Sequence, residues 1–164
     1  MHSVIFRQLI IIVITLSYFS ISEAKTYALV ADGLIDGKAN NVLQDKAVIV
    51  TGNQITAIIN IDHIPKDAVK IELPGTTLMP GMINAHEHPL LYKSDYQNAH
   101  LQASSAYKAL LGLKNLQRLL RAGWTTIRVM GDGDVYYANQ DIRKVIDSGV
   151  FIGPRLTGAA HYIS

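Results

Sequence analysis

The sequence contains no cysteine among its 164 residues. No disulfide framework is therefore available, and no thiolate can act as a nucleophile or as a metal ligand. Charge is also sparse, because 15 Lys and Arg against 13 Asp and Glu give a formal net charge of +2. A charge this small, without a cluster of Lys and Arg interleaved with aromatic residues, argues against nucleic-acid binding.

The chain also lacks an uninterrupted apolar run of the roughly 20 residues that a membrane-spanning helix needs. Its most apolar stretch, residues 9–19, follows the positively charged Arg7 and precedes Ser22-Glu23-Ala24. Small residues at positions 22 and 24 are those that a signal peptidase reads. We therefore predict a signal peptide over residues 1–24 and a periplasmic or secreted protein, with no stable membrane span after leader cleavage. An uncleaved membrane anchor is the alternative.

Residues 25–75 contain short apolar stretches separated by turn residues, which predicts a small β-domain. Four stretches have the composition of strands, at residues 27–30, 47–50, 55–58 and 69–73. The Gly52-Asn53 pair between the second and third stretches predicts a hairpin. His63 lies in a polar segment that is typical of a surface loop. Nothing in this part of the sequence predicts chemistry.

From residue 76 onward, strands alternate with helices. A helix is predicted from apolar residues at helical spacing, with Lys108 among the charged residues on its other faces; the apolar set is Ala106, Ala109, Leu110, Leu113, Leu116 and Leu120. Gly123 is predicted to end this helix. Further strands are predicted at residues 125–130 and from residue 155, with a second helix over residues 139–147. Such alternation is typical of parallel strands covered by helices.

The strongest candidate site is a His-x-His pair, His86 and His88, at the end of the apolar strand that follows Pro80-Gly81. Alternate side chains of a strand share a face, so both histidines point the same way and Glu87 points the other way. Neutral imidazole is the commonest protein ligand for zinc and similar divalent ions. A catalytic zinc usually has three protein ligands, so further ligands must come from elsewhere. An ordinary exposed strand end is the alternative interpretation.

The segment over residues 73–88 resembles the start of the barrel of the metal-dependent amidohydrolase superfamily, whose first barrel strand carries His-x-His. Residues 31–37 and 47–58 resemble the small β-domain that precedes that barrel. Two later segments resemble the branch that contains imidazolonepropionase-like enzymes and Xaa-Pro dipeptidases, at residues 120–128 and 153–156.

This resemblance implies a fold that is the start of a TIM-like (β/α)8 barrel, preceded by part of a small β-sandwich domain. Residues 76–164 would form the first three β/α units, and residues 25–75 the β-domain. A complete barrel takes about 250 residues. We therefore expect an incomplete chain, the N-terminal part of a longer protein.

The same resemblance implies an exported hydrolase that cleaves carbon–nitrogen bonds of cyclic amides, amides or dipeptides by a metal-bound hydroxide. One or two divalent ions, of which we favour zinc, would be held by His86 and His88 together with a lysine, histidines and an aspartate from later strands. The expected partner is a small-molecule or dipeptide substrate, and an oligomer is compatible with the sequence. The catalytic residues are not identified. The alternative is a truncated, non-catalytic metal-binding or vestigial protein.

Four further polar residues fall near predicted strand ends. Asp132 and Asp134 follow the second strand of the alternating region and could touch substrate, but Gly-Asp-Gly-Asp is also an ordinary turn sequence, and we favour the turn. His161 lies near the third strand end, outside the ligand positions of the family, and we do not assign it to metal. His100 is predicted to belong to a loop or helix start.

Two residues depart from the pattern of the family. Asn84 stands where many members have aspartate. Val129 stands where this branch usually has an acidic residue, which removes a polar group near the second strand's end and leaves the substrate open.

Overall fold

The computed structural model describes residues 24–163. These form two compact units, and the chain passes from the first to the second between Met79 and Pro80. The boundary predicted at residues 75/76 falls inside a strand of the first unit. Apart from Ala24, the predicted signal peptide lies outside the described residues. No helix within the described range is long and apolar enough to cross a membrane.

The first unit is a four-stranded sheet. Its strands are β1 (Thr26–Leu34), β2 (Lys46–Thr51), β3 (Gln54–Asn60) and β4 (Val69–Leu78), in the order β3-β2-β1-β4. β1 pairs antiparallel with β2 and parallel with β4. This confirms the four predicted strands and the β2–β3 hairpin. The described residues of this unit form a single sheet, so the β-sandwich stays a prediction.

The second unit alternates strands and helices. Its elements are β5 (Met82–Glu87), α1 (Tyr96–Gln102), α2 (Ser105–Arg121), β6 (Trp124–Val129), α3 (Ala138–Asp147) and β7 (Arg155–Gly158). The three strands are parallel and lie in the order β5-β6-β7. The predicted alternation and the parallel sheet are therefore confirmed, and the chain as described is a mixed α/β protein. Parallel strands place their carboxyl ends at one edge, where His86 and His88 lie.

The core of the second unit lies between the sheet and its helices. Ile127 and Leu156, neighbours in the β6–β7 register, are buried with Leu116 of α2 and Ile142 of α3. Burial of such side chains contributes about 1.5–3 kcal/mol each relative to exposure. This packing fixes the helices against the strands and thereby fixes the loops at the carboxyl edge.

Helix α2 confirms two sequence predictions and contradicts two others. Gly123 follows the helix with a φ of +93°, as the predicted end requires, and Leu116 is fully buried. Leu110 was predicted to face inward, but 67% of it is exposed. Lys108 was predicted on a polar face, but it is only 4% exposed. Lys108 is buried where it forms an ion pair with Asp134, in the loop after β6.

A candidate metal site at the end of strand β5

His86 and His88 lie beside one another at the carboxyl end of β5. Their ring centroids are 5.2 Å apart, with an interplanar angle of 70°. Both line one cavity of about 490 Å³. The prediction that the two side chains share a side of the strand is confirmed.

The side chains of Asn84 and Glu87 form hydrogen bonds with the backbone of the two histidines. Asn84 Nδ2 donates a hydrogen bond to Glu87 Oε2 at 2.7 Å, while Asn84 Oδ1 accepts from the His86 N–H at 3.0 Å. Glu87 Oε1 accepts from the His88 N–H at 3.1 Å. An aspartate at position 84 would face the Glu87 carboxylate without a proton to donate. The departure at Asn84 therefore has a local physical reason.

The tautomer of His88 is set by one hydrogen bond. His88 Nδ1 lies 2.6 Å from the Gly131 carbonyl oxygen, in the loop after β6. Because a carbonyl only accepts, Nδ1 carries the proton, and in neutral imidazole Nε2 then has a free lone pair. Metal-ligating histidines in general donate their other N–H to such a group, which fixes the ring and the tautomer. In this tautomer, Nε2 is the ring nitrogen of His88 with a lone pair available for a ligand bond.

The spacing of the two rings fits a shared metal ion. Two imidazoles that bind one tetrahedral zinc through nitrogens at about 2.0–2.1 Å place their ring centroids roughly 5 Å apart. The observed 5.2 Å agrees with this spacing. Within residues 24–163, however, no group of three or more His, Cys, Asp or Glu side chains could hold an ion. A catalytic zinc usually has three protein ligands, so the two histidines alone would not complete such a site.

The rest of the cavity wall is largely apolar and aromatic. Apart from the two histidines, it is formed by Leu91, Tyr96, Met130, Asp132, Gly133 and Tyr162. The Tyr162 ring meets the His88 ring edge to face at 6.0 Å between centroids. Neither tyrosine is predicted from the sequence. Tyr96 begins α1, and Tyr162 lies in the loop after β7. A larger cavity of about 700 Å³ includes His88 but not His86, so it is not the candidate site.

Asp132 lies at the wall of this cavity and is only 2% exposed. Its Oδ2 accepts a hydrogen bond from Asn139 Nδ2 at 2.9 Å, whereas its Oδ1 has no partner of normal geometry. Burial raises the pKa of Asp132 to about 6, against the opposing effects of Asn139, the Leu90 N–H and the charge of His88. The turn interpretation missed this burial.

Asp134, two residues further on, is 1% exposed and fastens the same loop. Its Oδ1 pairs with Lys108 Nζ at 2.5 Å and accepts from Ser105 Oγ at 2.7 Å. Its Oδ2 accepts from the Ala138 N–H at 3.0 Å, at the start of α3. Burial alone raises the pKa of Asp134, but these bonds outweigh it and hold the pKa below its usual value. The loop after β6 is therefore tied to α2 and α3.

Two further histidines of the second unit, His161 and His100, lie outside the candidate site. His161 Nδ1 lies 2.9 Å from the Asp132 carbonyl oxygen, to which it donates, and its ring packs edge to face against Tyr137. His100 is in the last turn of α1 rather than in the predicted loop or helix start, and both of its ring nitrogens are buried without a partner. Burial, followed by the charge of Lys108, lowers the pKa of His100. Neither residue lines the cavity of His86 and His88.

The raised pKa of Asp132 predicts a pH dependence of stability. Unfolded Asp132 loses its proton near pH 3.8 and folded Asp132 near pH 6, so between these values the folded state holds more protons. The contribution of Asp132 to the stability of the fold is therefore present below about pH 4 and is lost as the pH rises to 6. We expect the wild type to lose at most about 3 kcal/mol across this window relative to Asp132→Asn. Urea unfolding of both proteins at pH 4, 5, 6 and 7 measures the difference between their free energies of unfolding. A difference that is the same at every pH would contradict the prediction.

Comparison with known proteins places these features in a family. The sequence profile of the Amidohydrolase family matches residues 77–164, more than half of the chain. A comparison with curated proteins gave no match. Among solved structures, the fold is similar to a Xaa-Pro dipeptidase with methionine bound in its active site, at 27% identity and a TM-score of 0.71. That comparison covers 85% of this chain and 34% of the dipeptidase.

Two other solved structures show the same similarity. A candidate prolidase from Bifidobacterium longum is 28% identical, with a TM-score of 0.65 over 85% of this chain and 31% of its own. Molinate hydrolase, at 23% identity and a TM-score of 0.69, shares the fold over 86% of this chain and 31% of its own. The chain thus spans about a third of the length of each of these proteins. Through its family match and the fold that carries His86 and His88, the chain belongs to the amidohydrolase family.

Proposed function

We propose that this chain supplies the first two metal ligands, His86 and His88, of a metal-dependent hydrolase that cleaves carbon–nitrogen bonds of amides, cyclic amides or dipeptides. The observation that carries the proposal is the pair of imidazoles 5.2 Å apart, one of them with its Nδ1 proton held by the Gly131 carbonyl. Membership in the amidohydrolase family supports it. The similar dipeptidase and candidate prolidase favour a dipeptide among these substrate classes.

Different residues of the chain would have different roles in such a site. A divalent ion, when bound, would supply Lewis-acid catalysis and activate water. Asn84 and Glu87 hold the backbone N–H groups of the two histidines, so that the rings stay together. Leu91 and Met130 line the cavity with apolar surface, which favours an apolar group of a substrate and restricts water there.

The proposal also includes the predicted barrel, β-sandwich, zinc ions and export. The parallel β5-β6-β7 sheet with its helices supports the start of a (β/α)8 barrel over residues 76–164, and the four-stranded sheet is compatible with part of a β-sandwich over residues 25–75. We propose zinc, as one or two ions, with the remaining ligands from outside residues 24–163. We also propose export to the periplasm or medium, which rests on the leader sequence alone.

Titration with Zn²⁺ tests the two ligands directly. We expect the protein to bind Zn²⁺ and the His86→Ala and His88→Ala variants to bind it at least about tenfold more weakly, since each removes half of the described ligand set. The measurement is isothermal titration calorimetry. His63→Ala is the control, because His63 is exposed in a 3-10 turn of the first unit. Equal affinity of all four proteins would refute the metal site.

One observation favours the non-catalytic alternative, in which the chain binds metal without hydrolysis. The described residues contain two ligands and no third. An assay of Xaa-Pro dipeptide hydrolysis by the natural protein, isolated from its source, with and without Zn²⁺ separates the two functions. Zinc-dependent release of proline supports the hydrolase, whereas zinc binding without turnover supports the non-catalytic protein.

A further inference from the structure

We propose that Asn139, acting through Asp132, is a positioning residue that holds the Gly131 carbonyl against His88 and thereby keeps His88 Nε2 free for a metal ion. This inference rests on the proposed function, since the benefit of a fixed tautomer is a ready ligand. Asn139 does not line the cavity. It bonds instead to the loops after β6 and β7, which carry cavity residues.

Asn139 lies in the first turns of α3 and is only 2% exposed. Its Nδ2 donates to Asp132 Oδ2 at 2.9 Å and to the Ala160 carbonyl oxygen at 2.9 Å. One amide group thus joins the loop after β6 to the loop after β7. Burial of an amide is unfavourable unless it is hydrogen-bonded, so an asparagine at this depth is explained by these bonds rather than by apolar packing.

Asp132 is held through its backbone as well as its side chain. Its N–H donates to the Ala160 carbonyl at 3.1 Å, and its own carbonyl accepts from His161 Nδ1 at 2.9 Å. Together with Asn139, these bonds fix both peptide groups of Asp132. One of those groups contains the Gly131 carbonyl, which therefore has little freedom to turn away from His88.

The His88–Gly131 bond is the point at which this network reaches the candidate metal site. If the Gly131 carbonyl rotates away, His88 Nδ1 loses its acceptor and the proton can move to Nε2. That second tautomer cannot bind a metal through Nε2. Loss of groups that orient a metal-ligating histidine typically lowers metal affinity by about 10- to 100-fold.

The test compares Asn139→Leu with Asp134→Asn. Leucine is close to asparagine in size and lacks both N–H donors. Asp134 is the matched control, because it is equally buried, belongs to the same loop and also contacts the start of α3, yet none of its hydrogen bonds reaches Gly131 or His88. Two quantities are measured: the ¹⁵N chemical shifts of the His88 ring without metal, which report the tautomer, and the Zn²⁺ dissociation constant.

We expect Asn139→Leu to introduce the Nε2-protonated form of His88 and to weaken Zn²⁺ binding about tenfold. Asp134→Asn should lower thermal stability and change neither quantity in the folded protein. Asn139→Ser is the second variant in case the leucine protein does not fold, since its short hydroxyl cannot reach both acceptors; it should shift the tautomer in the same direction by less.

Unchanged His88 shifts in the folded Asn139 variants would overturn the inference, as would equal shifts in Asp134→Asn. Failure of the proposed function has a different signature. In that case the wild type binds no Zn²⁺, while the tautomer of His88 still responds to Asn139.

Discussion

Lys108→Met should lower the free energy of unfolding by about 3–5 kcal/mol, the loss typical when one partner of a buried ion pair is removed. Lys108 and Asp134 are 4% and 1% exposed, and their charged atoms are 2.5 Å apart. Methionine fills much of the volume of lysine but leaves the Asp134 carboxylate without a positive charge. Urea denaturation at pH 7 measures the loss.

The surface pair Lys144–Asp141 provides the control. Its atoms are 2.9 Å apart, but the Lys144 side chain is 75% exposed. Exposed pairs contribute about 0–1 kcal/mol, so Lys144→Met should be close to neutral. A double variant, Lys108→Met with Asp134→Asn, should recover part of the loss, because the buried negative charge is gone. If Lys108→Met is no more harmful than Lys144→Met, the buried pair does not stabilise the fold.

Gly131→Ala should be the most damaging small substitution in the loop after β6. Gly131 has a φ of +110°, which side chains other than hydrogen rarely adopt, and an added Cβ would lie 2.4 Å from His161 C and Tyr162 N. Backbone strain of about 1–3 kcal/mol and overpacking of about 1–3 kcal/mol both apply, so we expect a loss of about 2–6 kcal/mol in total. Thermal and urea unfolding measure it.

Gly133→Ala is the matched control for this substitution. Gly133 lies two residues away and has no positive φ. Its added Cβ would meet Tyr162 Oη at 3.6 Å and His100 Cδ2 at 3.9 Å, both of which are ordinary contacts. We expect a change within about 1 kcal/mol. Similar stability of the two alanine variants would show that the close approach of residues 131 and 161–162 is not required for folding.

Features that depend on neighbours in the sequence could be predicted. The alternation of strands and helices, the Gly52-Asn53 hairpin and the end of α2 at Gly123 all follow from local periodicity and backbone preference. The placement of His86 and His88 on one side also follows, because it needs only the two-residue repeat of a strand.

Features that depend on distant partners could not be predicted. Lys108 of α2 is buried against Asp134, which is 26 residues away in the loop after β6 and forms an ion pair with it. A lysine among leucines on a helix gives no sign of such a partner, so it was assigned to a polar face. Asp132 likewise has a sequence context typical of a turn, and its burial depends on Asn139 and on the backbone of β7's loop. Leu110, two positions further along α2, lies on a different face of the helix from Lys108 and is exposed.

The hydrogen bond between His88 and Gly131 also has a consequence for the order in which the molecule is assembled. It joins residues 43 positions apart, and Gly131 in turn lies against residues 161 and 162. Contacts between distant residues require loop closure and form late relative to local helices. During synthesis, β5 emerges from the ribosome long before the residues that orient His88. The two histidines are therefore synthesised early, but the ring of His88 becomes oriented only when the third strand has docked.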